Sequence, residues 1–358
     1  MSIRWFKYLS PFLVYMASLH AFFTTGLAVF IPLVYAFGAI PLVELFLKPD
    51  VTNLSAAEEE LIKNDKVYDV LLWLIVPLQY TALFCFLYNI AFMPQTTIDL
   101  WGKTGVMALL CGTFGINVGH ELGHRVNRFE QNLAKALLLT SLYMHFFVEH
   151  NKGHHKNVAT PNDPSSARYG EALYPFLLRS IVGGYSSAWH IANGDVQKKG
   201  GAVFSWRNEM VQLTVIEVLF TTIIFLVFGW KAGLMFLVAA LGGILLLEAV
   251  NYIEHYGLSR QRIAEGKYER AMPHHSWNSS HVIGRLMLFE LSRHSDHHYL
   301  ASRKYQVLRH YDTAPQMPTG YPGMMLLSLV PPLWFWVMNR RIKRIQAQPL
   351  RNQQMAVS

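Results

Sequence analysis

Charged side chains are scarce in this chain of 358 residues. They make up 15% of the sequence, whereas about 25% is usual for soluble proteins. Hydrophobic residues account for 52%, and they recur in long runs with few interruptions. Runs of that length are typical of segments that cross a bilayer. The composition therefore predicts a polytopic membrane protein and argues against two soluble domains.

Cysteine is nearly absent as well. Only Cys85 and Cys111 occur, and both lie inside apolar runs. This count excludes a disulfide framework and a cysteine-rich metal site. Since the chain has no Cys-x-x-Cys pair, any sulfur-ligated redox centre that it uses is expected on another protein.

The formal net charge of +8 does not indicate a nucleic-acid partner, because the basic residues lie in loops between apolar runs. That distribution is typical of a cytoplasmic membrane face. The N-terminal residues lack a small-residue cleavage site, so we interpret the first apolar run as a retained span. No internal repeat or low-complexity segment is visible.

The predicted fold is all-α, with one integral-membrane catalytic domain over residues 1–358 and six transmembrane helices. The six predicted spans cover residues 9–24, 27–47, 67–93, 100–119, 211–230 and 234–250. Residues 253–320, rich in His, Arg and Tyr, are expected to form a cytoplasmic cap. With both termini cytoplasmic, every Lys and Arg except Lys103 and Lys231 falls on the inner face, a strong positive-inside asymmetry.

Two further apolar stretches, residues 133–148 and 324–338, are ambiguous. Histidine-rich motifs flank the first stretch on both sides. If those motifs meet at one site, a single crossing between them is impossible. Residues 133–148 are therefore predicted to be re-entrant or interfacial, whereas the sequence does not decide whether residues 324–338 enter the bilayer.

Nine of the sixteen histidines stand in closely spaced groups or at the end of the sixth span. These candidate metal ligands are His120, His124, His150, His154, His155, His255, His294, His297 and His298. An i, i+4 spacing places two imidazoles on one face of a helix, within reach of one ion. Nine imidazoles exceed the needs of one ion, so we expect two ions with four or five each. Ligand type alone leaves zinc, copper, iron and nickel open.

Polar residues near these histidines are candidates for supporting roles, because ligating imidazoles usually donate their second N–H to a carboxylate or carbonyl. The candidates are Asn117, Glu121, Glu149, Asp163, Asn251, Glu254 and Asp296. The carboxylates among them could also be ligands. Of the other histidines, His20, His145, His190 and His310 are isolated and expected to be packed or interfacial. We interpret His274, His275 and His281 as structural.

Two other functions compete at this point. The string His120-Glu121-Leu-Gly-His124 matches a zinc metalloprotease signature in which the glutamate is the general base. An intramembrane protease would leave most of the other histidines without a role. A metal-ion transporter would place exchangeable sites near the bilayer midplane between internal repeats, and no repeat is visible here. A b-type haem would need only two facing histidines, so it would also leave most of the histidines unexplained.

Several strings resemble a known family, the membrane-bound alkane 1-monooxygenases, which are related to the integral-membrane fatty acid desaturases and hydroxylases. The strings are Asn-Val-Gly-His-Glu-Leu-Gly-His-Arg from 117, Glu-His-Asn-Lys-Gly-His-His from 149, Val-Ala-Thr-Pro-Asn-Asp-Pro from 158, Asn-Tyr-Ile-Glu-His-Tyr-Gly-Leu from 251 and Leu-Ser-Arg-His-Ser-Asp-His-His from 291. The resemblance is dense over residues 100–325 and loose before them.

The resemblance implies a non-haem di-iron enzyme in the bacterial inner membrane, with the nine histidines as iron ligands. It implies that one oxygen atom of O₂ enters the terminal methyl group of a linear alkane, which gives a 1-alkanol. Electrons are expected from a separate rubredoxin, supplied by rubredoxin reductase and NAD(P)H, and the basic inner face is a candidate docking surface for it. The sequence does not name the substrate-binding residues.

Overall fold

The computed structural model describes residues 3–357, with side chains from 4 to 347. The chain is mostly helical. The α-helices are α1 Ser10–Phe22, α2 Ile31–Val34, α3 Ile40–Glu44, α4 Ala56–Lys63, α5 Lys66–Phe92, α6 Thr97–Leu110, α7 Asn117–Gly123, α8 Arg128–Leu139, α9 Phe146–Glu149, α10 His155–Asn157, α11 Leu173–Gln197, α12 Glu209–His255, α13 Val282–Met287, α14 His294–Tyr299, α15 Tyr321–Ser328 and α16 Pro331–Val357. Short 3₁₀ segments are Ile3–Leu9, Gly26–Phe30, Pro273–His275 and Tyr305–Val307, and π-helical segments are Tyr35–Ala39, Cys111–Ile116 and His150–His154.

Three helical stretches within the described residues are long and apolar enough to cross a membrane: Gly26–Glu44, α5 and α12. Gly26–Glu44 and α5 coincide with the second and third predicted spans within a few residues. The structure therefore confirms a helical protein with membrane-spanning character. The full count of six spans stays a prediction.

Helix α12 consists of two arms separated at Gly229, which has φ 80° and ψ 170°. The rings of Phe220 and Phe236 lie 5.9 Å apart across this break. Sixteen residues of straight helix would separate them by about 24 Å, so the chain reverses at Gly229. The two arms correspond to the predicted runs 211–230 and 234–250, and only glycine adopts this conformation without strain.

A continuous helical run from Thr97 to Gly123 delivers the first histidine motif. It comprises α6, the π-helical segment Cys111–Ile116 and α7. The second arm of α12 packs closely against it, since a Cβ atom at Gly112 would lie 3.0 Å from the carbonyl oxygen of Gly243. Small residues permit such close helix packing in membrane proteins.

The stretch 133–148 is not one helix. Helix α8 ends at Leu139, Leu142 has a φ of 49°, and α9 begins at Phe146. The twelve residues of α8 extend about 18 Å, well short of a hydrocarbon core of about 30 Å. The stretch 324–338 is likewise divided, because α15 ends at Ser328 and α16 begins at Pro331.

Residues 253–320, the predicted cap, fold into short segments over the histidine-bearing helix ends. They include a two-stranded antiparallel hairpin, with β1 at Arg262–Ala264 and β2 at Lys267–Tyr268. The all-α prediction omitted this hairpin because its strands are short and exposed. Lys103 also differs from expectation: it lies in α6, not in a loop, and its Nζ donates to Asn89 Oδ1 at 2.6 Å and Gln95 Oε1 at 3.0 Å.

Candidate metal centre

Four helix ends converge and carry all nine candidate ligands. Helix α7 provides His120 and, just past its end, His124. The π-helical segment that follows α9 provides the second motif. Helix α12 ends at His255, and α14 provides the third motif. The structure therefore brings together residues separated by up to 178 positions, as the sequence predicted.

The histidines divide into two clusters. The five-histidine cluster contains His120, His124, His150, His155 and His297, and the four-histidine cluster contains His154, His255, His294 and His298. Within each cluster, one ligand atom from every residue lies within 4.8 Å of all the others. Groups of five and four histidines are compatible with the expectation of two ions, and the number of ions stays a prediction.

Distances between Nε2 atoms fit ligands that share an ion. His120 and His297 are 2.9 Å apart, and His155 lies 3.0 Å from His150 and 3.1 Å from His297. In the four-histidine cluster, His154 lies 3.2 Å from His298, and His294 lies 3.3 Å from His255. Bonds of about 2.1 Å to one metal place neighbouring ligand nitrogens about 3 Å apart. One ion in each cluster therefore fits the residues present.

The π-helical segment His150–His154 explains how the second motif serves both clusters. A π-helix aligns residues five apart, whereas an α-helix aligns residues four apart. His150 and His155 consequently enter the same cluster, and His154 turns toward the other. His150 and His154 stand four positions apart in the sequence but lie in different clusters, because the local helix is wider than an α-helix.

Burial favours the neutral form of most of these imidazoles. It lowers the pKa of His120, His124 and His150 well below the usual value, and nearby histidines lower it further. The pKa values of His294, His297 and His298 are lowered in the same way. A neutral imidazole offers a free lone pair, which metal binding requires. These histidines thus favour metal ligation over proton storage.

His154 differs from its neighbours because a carboxylate stands behind it. Its Nδ1 lies 2.9 Å from Asp163 Oδ2, and this carboxylate also accepts from the Ser166 hydroxyl at 2.5 Å. Burial opposes charge on His154, but Asp163 outweighs it and raises the pKa to about 9. The same contact orients Nε2 toward the cluster and increases its basicity as a ligand.

Glu254 is the second carboxylate at the four-histidine cluster. Its Oε2 lies 3.2 Å from His294 Nε2, and its Oε1 accepts from the Tyr321 hydroxyl at 2.6 Å. Because Oε2 approaches the ligand atom of His294 and not the second ring nitrogen, Glu254 is placed to contact an ion directly. The sequence left open whether carboxylates support the histidines or bind an ion themselves. Asp163 is placed for the first role and Glu254 for the second.

The other predicted supporting residues bind elsewhere. Glu121 accepts from Arg125 at 2.7 Å and from the Tyr305 N–H at 3.1 Å. Asp296 accepts from Arg303 Nη1 at 2.8 Å. Three more bind as follows: Asn117 donates to the Leu288 carbonyl, Glu149 accepts from Ser187, and Asn251 donates to Glu248. Because the Glu121 carboxylate already accepts hydrogen bonds from Arg125 and the Tyr305 N–H, it is poorly placed to act as the general base of a protease.

The remaining histidines in the described part of the chain belong to neither cluster. His275 Nδ1 accepts from the Met272 N–H at 3.0 Å, and His281 and His310 pair with Ser279 and Ser280. His145 is buried between aromatic rings. These placements agree with the structural roles expected for them.

Glu248 is a buried residue that the sequence interpretation missed. It lies in the second arm of α12 and accepts hydrogen bonds from Tyr143 at 2.8 Å, Asn251 at 3.2 Å and Ser180. Ser180 in turn lies 3.2 Å from Ser165, in the loop that holds Asp163. An acidic residue within an apolar run usually marks a functional or paired group. Glu248 could have been identified from the sequence by this signal.

An apolar cavity extends beside the clusters. Its lining includes Val14, Phe37, Leu109, Phe114, Leu246 and Met325. Asn117, one turn before His120, and Tyr321, which donates to Glu254, also line it. The cavity therefore reaches side chains that adjoin both clusters and is suited to an apolar ligand.

Comparison with known proteins agrees with this arrangement. The family model described as fatty acid desaturase matches residues 100–328. Alkane 1-monooxygenase of Ectopseudomonas oleovorans is 39% identical over 316 residues, which is 87% of this chain and 78% of the relative. Alkane 1-monooxygenase 2 of Pseudomonas aeruginosa is 41% identical over 315 residues, or 87% and 83%.

A more distant relative is the xylene/toluene monooxygenase hydroxylase component of Pseudomonas putida. It is 28% identical over 229 residues, which is 64% of this chain and 60% of the relative. The two stronger matches cover 87% of this chain, and the family-model match over residues 100–328 includes every histidine of both clusters. This chain is a membrane oxidoreductase that belongs to the fatty acid desaturase family and, within it, to the alkane 1-monooxygenases.

Proposed function

We propose that the protein is a non-haem di-iron monooxygenase that converts linear alkanes to 1-alkanols. One observation carries the proposal: two clusters of buried and half-buried histidines adjoin a cavity lined by apolar side chains. The clusters supply the ligands for two metal ions, and the cavity supplies a place for a substrate without polar groups. The names of the relatives support an alkane as that substrate.

Two iron ions, one in each cluster, would supply the redox chemistry that activates O₂ for attack on an unreactive C–H bond. The chain's own residues hold the imidazoles in place and exclude water. Asp163 orients His154, and Tyr321 orients Glu254. Apolar residues such as Leu109 and Phe114 keep the reacting methyl group away from water, which would otherwise intercept the oxidant.

We infer that the alkane enters from the bilayer. Tyr35, in the π-helical segment of the second predicted span, lines the cavity and is 40% exposed on the outer surface of the helices. An alkane partitions into lipid, so a lateral entrance near Tyr35 would spare it a passage through water. Asn117 and Tyr321 mark the part of the cavity that adjoins the clusters, so the terminal methyl group of the alkane is proposed to lie there.

The electron donor is proposed to be rubredoxin, reduced by rubredoxin reductase and NAD(P)H. Cys85 and Cys111 lie in separate helical segments, and two cysteines do not supply the four thiolates of an iron–sulfur centre. This supports a separate protein as the electron donor. The proposed location is the bacterial inner membrane, with six spans and both termini in the cytoplasm.

The decisive experiment combines metal and product analysis. The purified protein is assayed for iron and zinc and then supplied with an alkane, O₂, rubredoxin, its reductase and NADH. Iron in both clusters and formation of a 1-alkanol would support the proposal. Zinc with peptide cleavage, or metal uptake into vesicles without oxidation, would replace it with a protease or a transporter. Toluene in parallel tests the substrate of the more distant relative.

A further inference from the structure

A second cavity, polar and separate from the apolar one, lies beneath the N-terminus. The 3₁₀ segment Ile3–Leu9, the loop at residues 50–54 and the segment that precedes the third histidine motif form its walls. Its charged lining consists of Arg4, Lys7, Arg285, Arg293, Asp50 and Glu290. None of these side chains has a part in the proposed reaction.

Positive charge exceeds negative charge in this lining. Glu290 is shared by three cations: it pairs with Arg285 at 2.9 Å, Lys7 at 3.0 Å and Arg293 at 4.0 Å. Asp50 accepts from Arg285 at 2.9 Å, and Arg4 pairs with Glu58, outside the lining, at 2.6 Å. Arg293, which is 5% exposed, also donates to backbone carbonyls, including that of Leu308 at 2.7 Å. The four cations thus face three carboxylates, and the cavity keeps an excess of one positive charge.

An unpaired amide points to a missing ligand. Gln306 lines the cavity and is 6% exposed, and neither its Oε1 nor its Nε2 has a hydrogen-bond partner within residues 4–347. The Nε atom of Arg293 also lacks one there. Buried polar atoms without partners are costly, so a donor-rich cavity of this kind is suited to an anion with several acceptor oxygens.

The position of the mouth favours a lipid. Arg4 and Lys7 lie in the 3₁₀ segment that leads directly into α1, the first predicted span. Phe6, in the same segment, is 61% exposed. Basic and aromatic residues together are typical of a membrane interface, and the inner leaflet carries anionic lipids. A soluble anion would gain nothing from the exposed aromatic ring.

We propose that this cavity binds the phosphate of an anionic phospholipid such as phosphatidylglycerol. The phosphate contacts the Gln306 amide and Arg293, and the acyl chains lie along Phe6 and α1. A zwitterionic lipid binds less well, because its ammonium group would adjoin the excess positive charge of the cavity. Arg293 directly precedes His294, so the lipid fixes the segment that carries the third histidine motif.

The test measures lipid retention by the full-length, iron-loaded protein. Detergent-solubilised protein is titrated with phosphatidylglycerol or phosphatidylcholine, and bound lipid is counted by native mass spectrometry. We expect one retained phosphatidylglycerol per chain. Gln306→Glu keeps the side-chain shape but adds a negative charge, and it should weaken retention about tenfold, an effect of the size expected for one charged contact.

Lys7→Gln, at the open mouth, should also weaken retention, whereas Lys48→Gln removes an exposed charge from the loop after α3 and should have no effect. Equal retention of both lipids by the wild type, or unchanged retention in both cavity variants, would overturn the proposal. Displacement of the lipid by soluble glycerol phosphate at equal concentration would show a site for free phosphate esters. Unfolding midpoints identify any variant that fails to fold.

Discussion

The two histidine clusters differ in exposure and in the groups behind their imidazoles. The five-histidine cluster has two half-buried members, His124 and His155, and no carboxylate contacts its rings among the described residues. The four-histidine cluster is fully buried, and Asp163 and Glu254 reach into it. The first cluster is thus open and rich in ligands, whereas the second is enclosed, has fewer imidazoles and is supported by carboxylates.

This asymmetry suggests a division of tasks. The open cluster lies nearer to the surface, where a protein donor could approach. The enclosed cluster depends on each of its four imidazoles, because none is in excess. The following variants test whether the clusters are as different in metal binding as they are in structure.

The largest effect is expected when the enclosed cluster loses an imidazole. His255→Ala leaves three histidines there and should lower iron from about two to about one per chain, with activity falling more than about 100-fold. His155→Ala leaves four histidines in the open cluster and should retain most of its iron. Iron content and 1-alkanol formation are measured for both.

His190→Ala, which removes an exposed histidine on α11, serves as the matched control and should resemble the wild type. Full iron and full activity in His255→Ala would exclude that residue as a ligand. Equal iron loss in the two cluster variants would show that the clusters load as a unit.

A smaller effect is expected behind the enclosed cluster. Asp163→Asn preserves the shape of the side chain but removes the charge that orients His154, and comparable changes weaken metal binding about 10- to 100-fold. Resistance to a chelator should fall for one ion per chain and not for the other. Asp195→Asn, in the surface pair with Lys152, controls for loss of a carboxylate, and a uniform change of both ions would contradict the assignment.

Sequence alone predicted the helices near residues 27–47 and 67–93 and the convergence of nine histidines, because apolar runs and motif spacing are local signals. It did not predict how the histidines divide. That division depends on the π-helical turn at His150–His154, which has no simple sequence signature. The contact of Glu254 with His294 depends on where α12 ends relative to α14. Tertiary packing sets this position, and the local sequence does not reveal it.

Most of the predicted supporting residues illustrate the same limit. Proximity in sequence suggested that Glu121 and Asp296 support histidines, but each is bound to an arginine instead. Asp163, nine residues from His154, makes the contact through a loop that folds back. Side-chain direction decides these pairings, and spacing along the chain does not reveal it.

The cavity offers a test that should leave both clusters unchanged. Leu109 lies about 12 Å along the helical run from Asn117, so a larger side chain there should shorten the space for an alkane. Leu109→Trp should reduce turnover of longer alkanes about tenfold relative to shorter ones, an effect typical of a change in pocket volume. Product yields are compared across a series of chain lengths, with iron content measured in parallel.

Leu219→Trp, on the exposed face of α12, provides the control and should not alter chain-length preference. A uniform loss across all chain lengths at Leu109→Trp would show that the cavity does not hold the alkyl chain. Lost iron would instead show that the substitution disturbs helix packing near the clusters.

The smallest effect is expected at the open side of the five-histidine cluster. Lys156 follows His155 and is exposed, and Arg270 stacks over Tyr299, the residue after His298, at 5.0 Å. Exposed cations beside the clusters would attract an acidic donor. Lys156→Gln should therefore slow rubredoxin-driven turnover a few-fold at low salt, and added salt should reduce the difference, since salt screens exposed charges.

A small-molecule reductant separates docking from catalysis, because it needs no protein contact. With it, Lys156→Gln and the wild type should turn over equally at every ionic strength. Lys198→Gln removes an exposed cation beyond the end of α11 and should behave as the wild type with either donor. Rubredoxin-driven turnover that is independent of salt would refute electrostatic docking here, and electron entry would then have to depend on apolar contacts around the open cluster.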